Sequence, residues 1–473
     1  MVLRHEHWIG GKAEPPANGA YLPTTDPRTR EPGDQIAAGS ERDVDRAVNA
    51  AGEAQRQWAR ASNAERSEIL HRVADSIERE ADELISFERA CTGKIESQLR
   101  MEVDMSASYF RYYAGILPTL HGRTIDLGAG YHTYTRLEPF GVVGVITPWN
   151  LPLNQACRAL APALAVGNAV VAKPSEFTSV STLKLAQLAS DAGIPDGILN
   201  VVTGTGVEVG TPLAAHPIVR RIAFTGSVAT ARKLAALAAE RLVPMTLELG
   251  GKSPLVVFED ADLDRAVAAA VSTVSFNAGQ VCSATTRLFL EKSVHDEVAA
   301  RVVDAVAQLE PGVDFGPMIT EAQYDKVLKG ISEARARGVE PAVGGSPYES
   351  GPPARGRYVQ PTVFVGVSPD LAIAREEIFG PVLVTMAFAD EADAIVRAND
   401  TEYGLVASVW SGNVARGIRV AQQIQAGQVA VNGGLLTIET PFGGYKQSGY
   451  GREKGIEGLH DYAQVKTVSL SLR

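Results

Sequence analysis

Residues 141–176 read GVVGVITPWNLPLNQACRALAPALAVGNAVVAKPSE, and this stretch decides the fold. Two short β-branched runs, 141–147 and 168–173, flank an alanine-rich segment of helical length. The same alternation continues with predicted strands at 198–202 and 219–224, and with predicted helices at 151–165, 179–192, 207–215 and 228–242. A strand, helix, strand rhythm predicts an α/β fold with a Rossmann-like parallel sheet, which binds ligands at the carboxyl ends of its strands.

The flanking sequence predicts helices before this stretch and a second α/β series after it. Hydrophobic spacing favours helices over 42–58, 69–84 and 109–120, and a strand-like stretch follows at 131–136. Downstream, further β-branched runs predict strands at 253–258, 287–290, 362–365 and 428–432. We therefore expect a second α/β domain after the first.

The composition excludes several classes of protein. Among 473 residues, 45 Lys+Arg stand against 55 Asp+Glu, a formal net charge of −10 at pH 7. Because phosphate neutralisation needs a basic face, we expect no nucleic-acid partner and no membrane-surface binding. Cys91, Cys157 and Cys282 are too few and too widely spaced for a disulfide framework or a CxxC metal site, so the sequence predicts a reduced, metal-free, cytoplasmic protein. Neither a secretory signal nor a membrane-spanning helix is expected.

Three motifs carry candidate reactive groups. Asn150 ends Thr147-Pro-Trp-Asn150 directly after a predicted strand, and fits either an amide donor to an oxyanion or a turn residue. Glu248 lies in the apolar, glycine-flanked run 247–252, where burial would raise its pKa toward that of a general base; a structural ion pair is the alternative. Cys282 ends the loop 277–282 and is a candidate nucleophile, whereas the other two cysteines are expected to be packing residues.

These three groups suffice for one chemical sequence. A thiolate at Cys282 that attacks a carbonyl forms a tetrahedral oxyanion, which Asn150 and a backbone N–H can stabilise. With a nicotinamide beside that carbon, the intermediate can expel a hydride. Water activated by Glu248 then releases the acyl group as a carboxylic acid.

Two further motifs predict how a dinucleotide binds. In Lys173-Pro-Ser-Glu176, a carboxylate just past the second strand is placed to bind the ribose hydroxyls of adenosine. Glu176 then favours NAD, because a 2′-phosphate would meet a like charge. In Phe224-Thr-Gly-Ser227, a strand turns into a helix whose backbone N–H groups can face a pyrophosphate.

Seven motifs follow one another in a fixed order: Pro148-Trp149-Asn150, Lys173-Pro-Ser-Glu176, Phe224-Thr-Gly-Ser227, Glu248-Leu-Gly-Gly251, Gly279-Gln-Val-Cys282, Glu376-Glu-Ile-Phe-Gly-Pro381 and Pro441-Phe-Gly-Gly-Tyr-Lys-Gln-Ser-Gly449. In this order they resemble the NAD(P)-dependent aldehyde dehydrogenase superfamily, over about residues 8–470. One departure is Ala231, which stands where the family often has a glycine near the pyrophosphate.

The resemblance implies a domain plan and an assembly. Residues 1–121 and 137–247 would form the NAD-binding domain, and 248–450 the catalytic domain. Residues 122–136 and 451–473 would form a small β bridging or oligomerisation element. A homodimer or homotetramer is implied, with NAD as cofactor and NADP as the alternative.

The resemblance also assigns site residues. Cys282, Glu248, Asn150 and Glu453 would be catalytic, with Glu453 serving as a proton relay or, alternatively, in a surface ion pair. The implied NAD-binding residues are Ile146, Thr147, Pro148, Trp149, Lys173, Ser175, Glu176, Gly206, Gly226, Ser227, Leu249, Glu377 and Phe379.

Three positions bear on the substrate. Arg158 resembles the arginine of succinic semialdehyde and several aromatic aldehyde dehydrogenases, whereas Phe276 stands where semialdehyde enzymes commonly carry a second arginine. With Trp149, these residues predict an apolar pocket for an aromatic or medium-length hydrophobic aldehyde; a succinic-semialdehyde-type substrate is the alternative. An ordinary ion pair is the other interpretation of Arg158. A CoA-acylating dehydrogenase, a cysteine hydrolase and a non-catalytic NAD-binding structural protein stay as rival functions.

Overall fold

The computed structural model, which describes residues 2–472, is built on two sheets, one parallel throughout and one parallel in its central strands. The N-terminal part comprises β1 (Arg4–His5), β2 (His7–Ile9), β3 (Lys12–Glu14), β4 (Tyr21–Thr25), β5 (Pro32–Ala37), α1 (Glu41–Trp58), α2 (Asn63–Arg79), α3 (Ala81–Thr92), α4 (Glu96–Ile116), β6 (Thr124–Ile125) and β7 (Tyr131–Pro139).

The alternating strands and helices predicted from residue 141 onward are present. They are β8 (Val142–Ile146), α5 (Pro152–Val166), β9 (Ala169–Lys173), α6 (Val180–Asp191), β10 (Leu199–Val201), a π-helical turn (Gly206–Gly210), α7 (Thr211–Ala215), β11 (Val219–Thr225), α8 (Val228–Glu240) and β12 (Met245–Glu248).

The second α/β series also forms. It comprises β13 (Pro254–Val257), α9 (Leu263–Ser275), β14 (Arg287–Glu291), α10 (His295–Ala307), α11 (Glu321–Ala336), β15 (Thr362–Phe364), α12 (Ala372–Arg375), β16 (Val382–Phe388), α13 (Glu391–Asn399), β17 (Tyr403–Gly404), β18 (Val406–Trp410), α14 (Val414–Gln423), β19 (Gln428–Val431), β20 (Tyr445–Lys446), β21 (Gly449–Tyr450), α15 (Gly455–Asp461) and β22 (Ala463–Ser471).

The strand order creates a switch point in the first sheet. Its order is β21-β12-β11-β8-β9-β10-β2-β3, and the strands from β12 to β10 run parallel. From β8 the chain moves outward through β9 and β10, then returns to add β11 and β12 on the other side. Ligand binding is therefore expected where the carboxyl ends of β8 and β11 meet. The second sheet, β15-β16-β14-β13-β18-β19, is parallel throughout, so the predicted α/β class is confirmed.

The N-terminal helices differ from their predicted bounds. The helix expected over 69–84 is divided at Glu80 between α2 and α3, and the one expected over 109–120 is only the end of α4, which begins at Glu96. The first turns of α4 carry several charged and polar side chains, so hydrophobic spacing did not predict a helix there. Glu102 is nevertheless buried there, because its carboxylate binds the Lys94 ammonium at 2.6 Å.

A third, antiparallel sheet joins two segments that are distant in sequence. β7 pairs with β22 from Tyr131↔Ser471 to Pro139↔Ala463, and β6 adds to the other edge of β7. Both long strands lie largely in the segments 122–136 and 451–473 that the resemblance assigns to the bridging element. The domain boundaries themselves stay a prediction. Between residues 2 and 472, no helix is long and apolar enough to cross a membrane.

Candidate active site

A cleft opens at the switch point between β8 and β11. Residues from most of the predicted motifs line it, together with side chains from α5 and α11: Pro148, Trp149, Asn150, Gln155, Thr225, Gly226, Ser227, Glu248, Leu249, Gly250, Cys282, Gln323, Lys326, Glu377 and Phe379. Motifs that lie far apart along the chain therefore meet at one place.

Cys282 follows a left-handed turn in the loop after α9. Asn277, Ala278 and Gly279 have φ angles of 49°, 49° and 71°. This conformation costs a residue with a side chain about 1–2 kcal/mol. Two hydrogen bonds hold the turn: Asn277 Nδ2 donates to the Gln280 carbonyl at 3.1 Å, and Gln280 Nε2 donates to the Asn277 carbonyl at 2.9 Å. The backbone that presents the thiol is thus fixed by its own side chains.

Asn150 is tied to this loop in both directions. The Asn150 side chain donates through Nδ2 to the Gln280 backbone carbonyl at 3.0 Å, and the Asn150 backbone carbonyl accepts from Asn277 Nδ2 at 3.0 Å. An amide nitrogen carries two hydrogens, so one fixes the orientation of the Asn150 side chain and the other is left for a ligand. This geometry suits a donor to an oxyanion in the cleft.

Glu248 lies at the carboxyl end of β12 and is buried. Neither of its carboxylate oxygens has a hydrogen-bond partner in the described chain. Burial raises the pKa of Glu248 well above its usual range, the nearby Glu453 raises it further, and Arg158 opposes the rise. A carboxylate held this way accepts a proton from water more readily than an exposed glutamate does.

Arg158 and Glu453 form an ion pair, and the Arg158 charge lies near enough to Glu248 and Cys282 to affect the pKa of each. Both members of the pair are buried, with exposed fractions of 3% and 2%, and the Arg158 guanidinium lies 5.1 Å from the centroid of the Phe442 ring. The sequence analysis gave an ion pair as the alternative interpretation of each residue. That ion pair is present, but it is buried and does not lie on the surface. Within residues 2–472, neither side chain lines the cleft.

One end of the cleft fits the adenosine and pyrophosphate of a dinucleotide. Helix α8 begins there, and its N-cap Ser227 accepts from the Thr230 N–H at 3.3 Å, an arrangement that suits an anion. At the end of β9, Lys173 Nζ binds Glu176 Oε2 at 3.1 Å; within residues 2–472 neither side chain lines the cleft. Ala231 is a residue of α8 and is buried in the core, and it does not line the described cleft.

The other end fits a nicotinamide riboside. The Glu377 carboxylate accepts from the Gly251 N–H at 3.0 Å, and burial raises its pKa. A Cβ on Gly250 would come within 2.1 Å of that carboxylate, so the glycine makes room for it. Trp149 packs edge-on against Phe379 with ring centroids 5.5 Å apart. The residues present therefore fit NAD.

Other predicted residues lie outside the cleft lining. Ile146, Thr147 and Ser175 are buried near the ends of strands. Gly206 is exposed and begins the π-helical turn, and Phe276 is half-buried directly after α9.

Three lining residues, Gln155, Gln323 and Lys326, lie outside every predicted motif. Gln155 lies on α5 just after Asn150, so helical spacing from that residue could have indicated it. Gln323 and Lys326 lie on α11, which carries none of the motifs.

The comparison with known proteins decides the family. The chain matches the aldehyde dehydrogenase family model over residues 15–468. It belongs to the aldehyde dehydrogenase family. Among solved structures, it is similar to an NAD-dependent aldehyde dehydrogenase from Sinorhizobium meliloti, with 40% identity and a TM-score of 0.96 over 99% of this chain and 95% of that one.

Two other solved structures are similar to this aldehyde dehydrogenase. HpcC from Thermus thermophilus has 39% identity and a TM-score of 0.97, with 99% of this chain and 93% of that one covered. The NAD+ complex of an aldehyde dehydrogenase from Bacillus cereus has 37% identity and a TM-score of 0.97, with 99% and 97% covered. The predicted family and the predicted enzyme class, an oxidoreductase acting on aldehydes, are confirmed.

In this aldehyde dehydrogenase the candidate nucleophile, Cys282, has a raised pKa. Burial raises the pKa of Cys282 to about 11, the Arg158 guanidinium opposes the rise, and Glu248 adds to it. Because the thiolate is the attacking species, Sγ must lose its proton before it can bond to a carbonyl carbon.

Proposed function

We propose that the chain oxidises an aldehyde to a carboxylic acid with NAD as hydride acceptor: RCHO + NAD⁺ + H₂O → RCOO⁻ + NADH + 2 H⁺. The observation that carries this proposal is the meeting of Asn150, Cys282 and Glu248 in one cleft, beside residues that fit a dinucleotide. The relatives described as NAD-dependent and as an NAD+ complex support the same cofactor.

The first half of the reaction uses Cys282 and Asn150. After Sγ loses its proton, a C–S bond forms to the carbonyl carbon, and the C=O π electrons move to oxygen. The free amide hydrogen of Asn150 and the backbone N–H of Cys282 are the proposed donors to this oxyanion. The chemistry that NAD supplies when bound is acceptance of a hydride from that carbon, which leaves a thioester on Cys282.

The second half uses Glu248. Its carboxylate takes a proton from water while the water oxygen bonds to the thioester carbon, and the C–S bond then breaks to return the sulfur. The raised pKa and the absence of hydrogen-bond partners in residues 2–472 support this role, since nothing in that range competes with water for the carboxylate.

We infer an aromatic or medium-length hydrophobic substrate. A dicarboxylic semialdehyde needs a cation for its distal carboxylate, and the candidate cation, Arg158, is paired with Glu453 and does not line the described cleft. Trp149 and Phe379 contribute aromatic lining at the cleft. These observations favour an uncharged substrate over a succinic-semialdehyde type.

We also propose a homodimer or homotetramer in the cytoplasm. The sheet of β7 and β22 and the residue after it leave Val465, Leu470 and Leu472 exposed, which favours contact with another copy of the chain. The low cysteine count supports a reducing compartment.

The experiment is a spectrophotometric assay of NADH formation with benzaldehyde, hexanal and succinic semialdehyde, each with NAD or NADP. We expect turnover with the first two aldehydes and NAD, loss of turnover in Cys282→Ala with NAD binding retained, and unchanged turnover in the control Cys91→Ala. Full activity in Cys282→Ala would refute the mechanism. Preference for succinic semialdehyde or for NADP would refute, respectively, the substrate class or the role of Glu176.

A further inference from the structure

The connection between α3 and α4 contacts both halves of the catalytic centre from outside the cleft. Glu88 lies on α3 and Gln98 on α4, and both are buried. Neither belongs to a motif that resembles the family pattern, and in the described chain neither lines the cleft. Their hydrogen bonds nevertheless lead to Asn150 and to the Cys282 loop.

Glu88 caps the helix that follows Asn150. Its Oε1 accepts from the Leu153 N–H at 3.1 Å and from the Ser181 hydroxyl. Leu153 is the second residue of α5, and the first N–H groups of a helix need acceptors from outside it. The side chain before the helix is Leu151, which has no acceptor atom. Glu88 therefore supplies the acceptor that this helix terminus needs.

Gln98 holds the first residue of the left-handed turn. Its Oε1 accepts from the Asn277 N–H at 3.3 Å. Asn277 in turn donates through Nδ2 to the Asn150 carbonyl at 3.0 Å and to the Gln280 carbonyl at 3.1 Å. A continuous chain of hydrogen bonds thus runs from Gln98 to the oxyanion donor and to the backbone that leads to Cys282.

An internal ion pair keeps the two helices together. The Lys94 ammonium, between α3 and α4, binds the two carboxylate oxygens of Glu102 at 2.6 and 2.7 Å. Both residues are buried, so the bonds are protected from competing water. Glu88 and Gln98 are therefore anchored to one rigid connection.

We propose that Glu88 and Gln98 are positioning residues that fix the position of Asn150 relative to Cys282. Glu88 acts through the N-terminus of α5, and Gln98 acts through the turn at Asn277. The inference rests on the proposed function, because it concerns the alignment of nucleophile and oxyanion donor. Since neither side chain lines the cleft within residues 2–472, their loss acts on kcat and leaves cofactor binding intact.

Each position offers two variants that separate hydrogen bonding from packing. Gln98→Glu and Glu88→Gln keep an oxygen acceptor, whereas Gln98→Met and Glu88→Leu keep only the bulk. We expect kcat to fall about tenfold or more in the two variants without an acceptor, and to stay within about threefold of wild type in the other two. The KM for NAD should change less than about twofold in all four.

A second measurement does not depend on turnover. The rate of Cys282 alkylation by iodoacetamide in the presence of NAD should change in the variants without an acceptor and return toward wild type in those that keep one. Ser106→Ala is the matched control, since its buried hydroxyl donates to the backbone carbonyl of Glu102 within α4 at 2.7 Å; it should leave kcat and alkylation unchanged.

The outcomes are distinct. Wild-type kcat and alkylation in all four variants, or equal losses with and without an acceptor, overturn the inference. If Glu88→Leu does not fold, the Gln98 pair decides. If the wild-type chain oxidises no aldehyde, the proposed function fails, while the alkylation rates still decide the positioning role.

Discussion

The side chain of Asn150 and the backbone carbonyl of Gln280 are joined by a hydrogen bond of 3.0 Å, two residues before Cys282. Asn150 follows a strand of the first sheet, and Gln280 lies in a loop that leads to the second. The bond therefore joins the proposed oxyanion donor to the loop of the proposed nucleophile, between segments that belong to different sheets. Because the donor is already oriented, a developing negative charge needs no rearrangement of the amide.

Removal of the Asn150 amide should lower kcat strongly. Asn150→Ala loses both the oxyanion donor and the bond to Gln280, and we expect kcat to fall about 10²–10³-fold. Asn150→Asp keeps the shape but sets an acceptor against the Gln280 carbonyl, so it should lose at least as much. Steady-state NADH formation measures both. Asn154→Ala, at a buried asparagine one turn along α5, is the control; a comparable loss there would show that general packing causes the effect.

The pH dependence of hydrolysis should respond to Glu453. Glu248 must be unprotonated to act as base, so the rate rises with pH through its pKa, which burial and Glu453 raise and Arg158 lowers. Glu453→Gln removes the repelling charge and leaves the Arg158 charge unpaired, so the midpoint of the kcat–pH profile should move down. Glu457→Gln, at an exposed carboxylate nearby on α15, should leave the midpoint in place. An upward shift in Glu453→Gln would contradict the assigned electrostatics.

The same variant needs a check on folding. Removing one partner of a buried ion pair can cost about 3–5 kcal/mol, so the Tm of Glu453→Gln is expected to fall. The pH profile is then measured well below that Tm, where the variant is folded.

Gly279→Ala should disrupt the nucleophile loop. Gly279 has a φ of 71°, and a Cβ there would come within 2.1 Å of the Gly380 carbonyl oxygen, so the loop must move. We expect turnover to fall by at least about tenfold, together with a lower Tm. Gly312→Ala is the matched control: its φ is 82°, yet a Cβ would meet no heavy atom of residues 2–472 within 4 Å. If both variants lose activity equally, backbone strain rather than the contact is the cause.

The sequence predicted the reactive groups because each follows a recognisable element. Asn150 stands just after a buried strand, Glu248 lies in an apolar run, and Cys282 ends a glycine-containing loop. Asn150 follows β8 and Glu248 ends β12, two parallel strands of one sheet, so the strand pattern explains why these two groups lie at the same edge. Cys282 precedes β14 of the second sheet, so its place in the cleft depends on packing between the two sheets, and only the family resemblance indicated it.

Contacts between distant segments could not be predicted in this way. Arg158 suggested a substrate cation, but α15 packs against α5 and the residues just before α15 bring Glu453 to the guanidinium. Likewise, the charged first turns of α4 can pack in the interior because the Glu102 carboxylate forms a buried ion pair with the Lys94 ammonium. Tertiary packing decides both pairings, and hydrophobic periodicity does not report it.

His7 is a buried histidine that the fold holds in its neutral form. Its Nδ1 accepts from the Thr203 N–H at 3.2 Å, and this bond requires an unprotonated nitrogen. Burial lowers the pKa of His7 to about 4, Asp43 opposes the shift, and Arg46 adds to it. The ring therefore stays neutral in the folded chain at pH values where it is already protonated in the unfolded chain.

Acid should consequently destabilise the protein through His7. An unfolded histidine titrates near pH 6.5, so the unfolded state binds the extra proton as pH falls from about 6.5 to about 4. The stability present above pH 6.5 is lost across that window, by up to roughly 3 kcal/mol. His7→Gln keeps an acceptor for Thr203 without titrating, so its Tm should fall less between pH 7.5 and pH 5 than that of wild type. His460→Gln, at an exposed histidine, should keep the wild-type pH dependence, and the same behaviour in His7→Gln would refute the assignment.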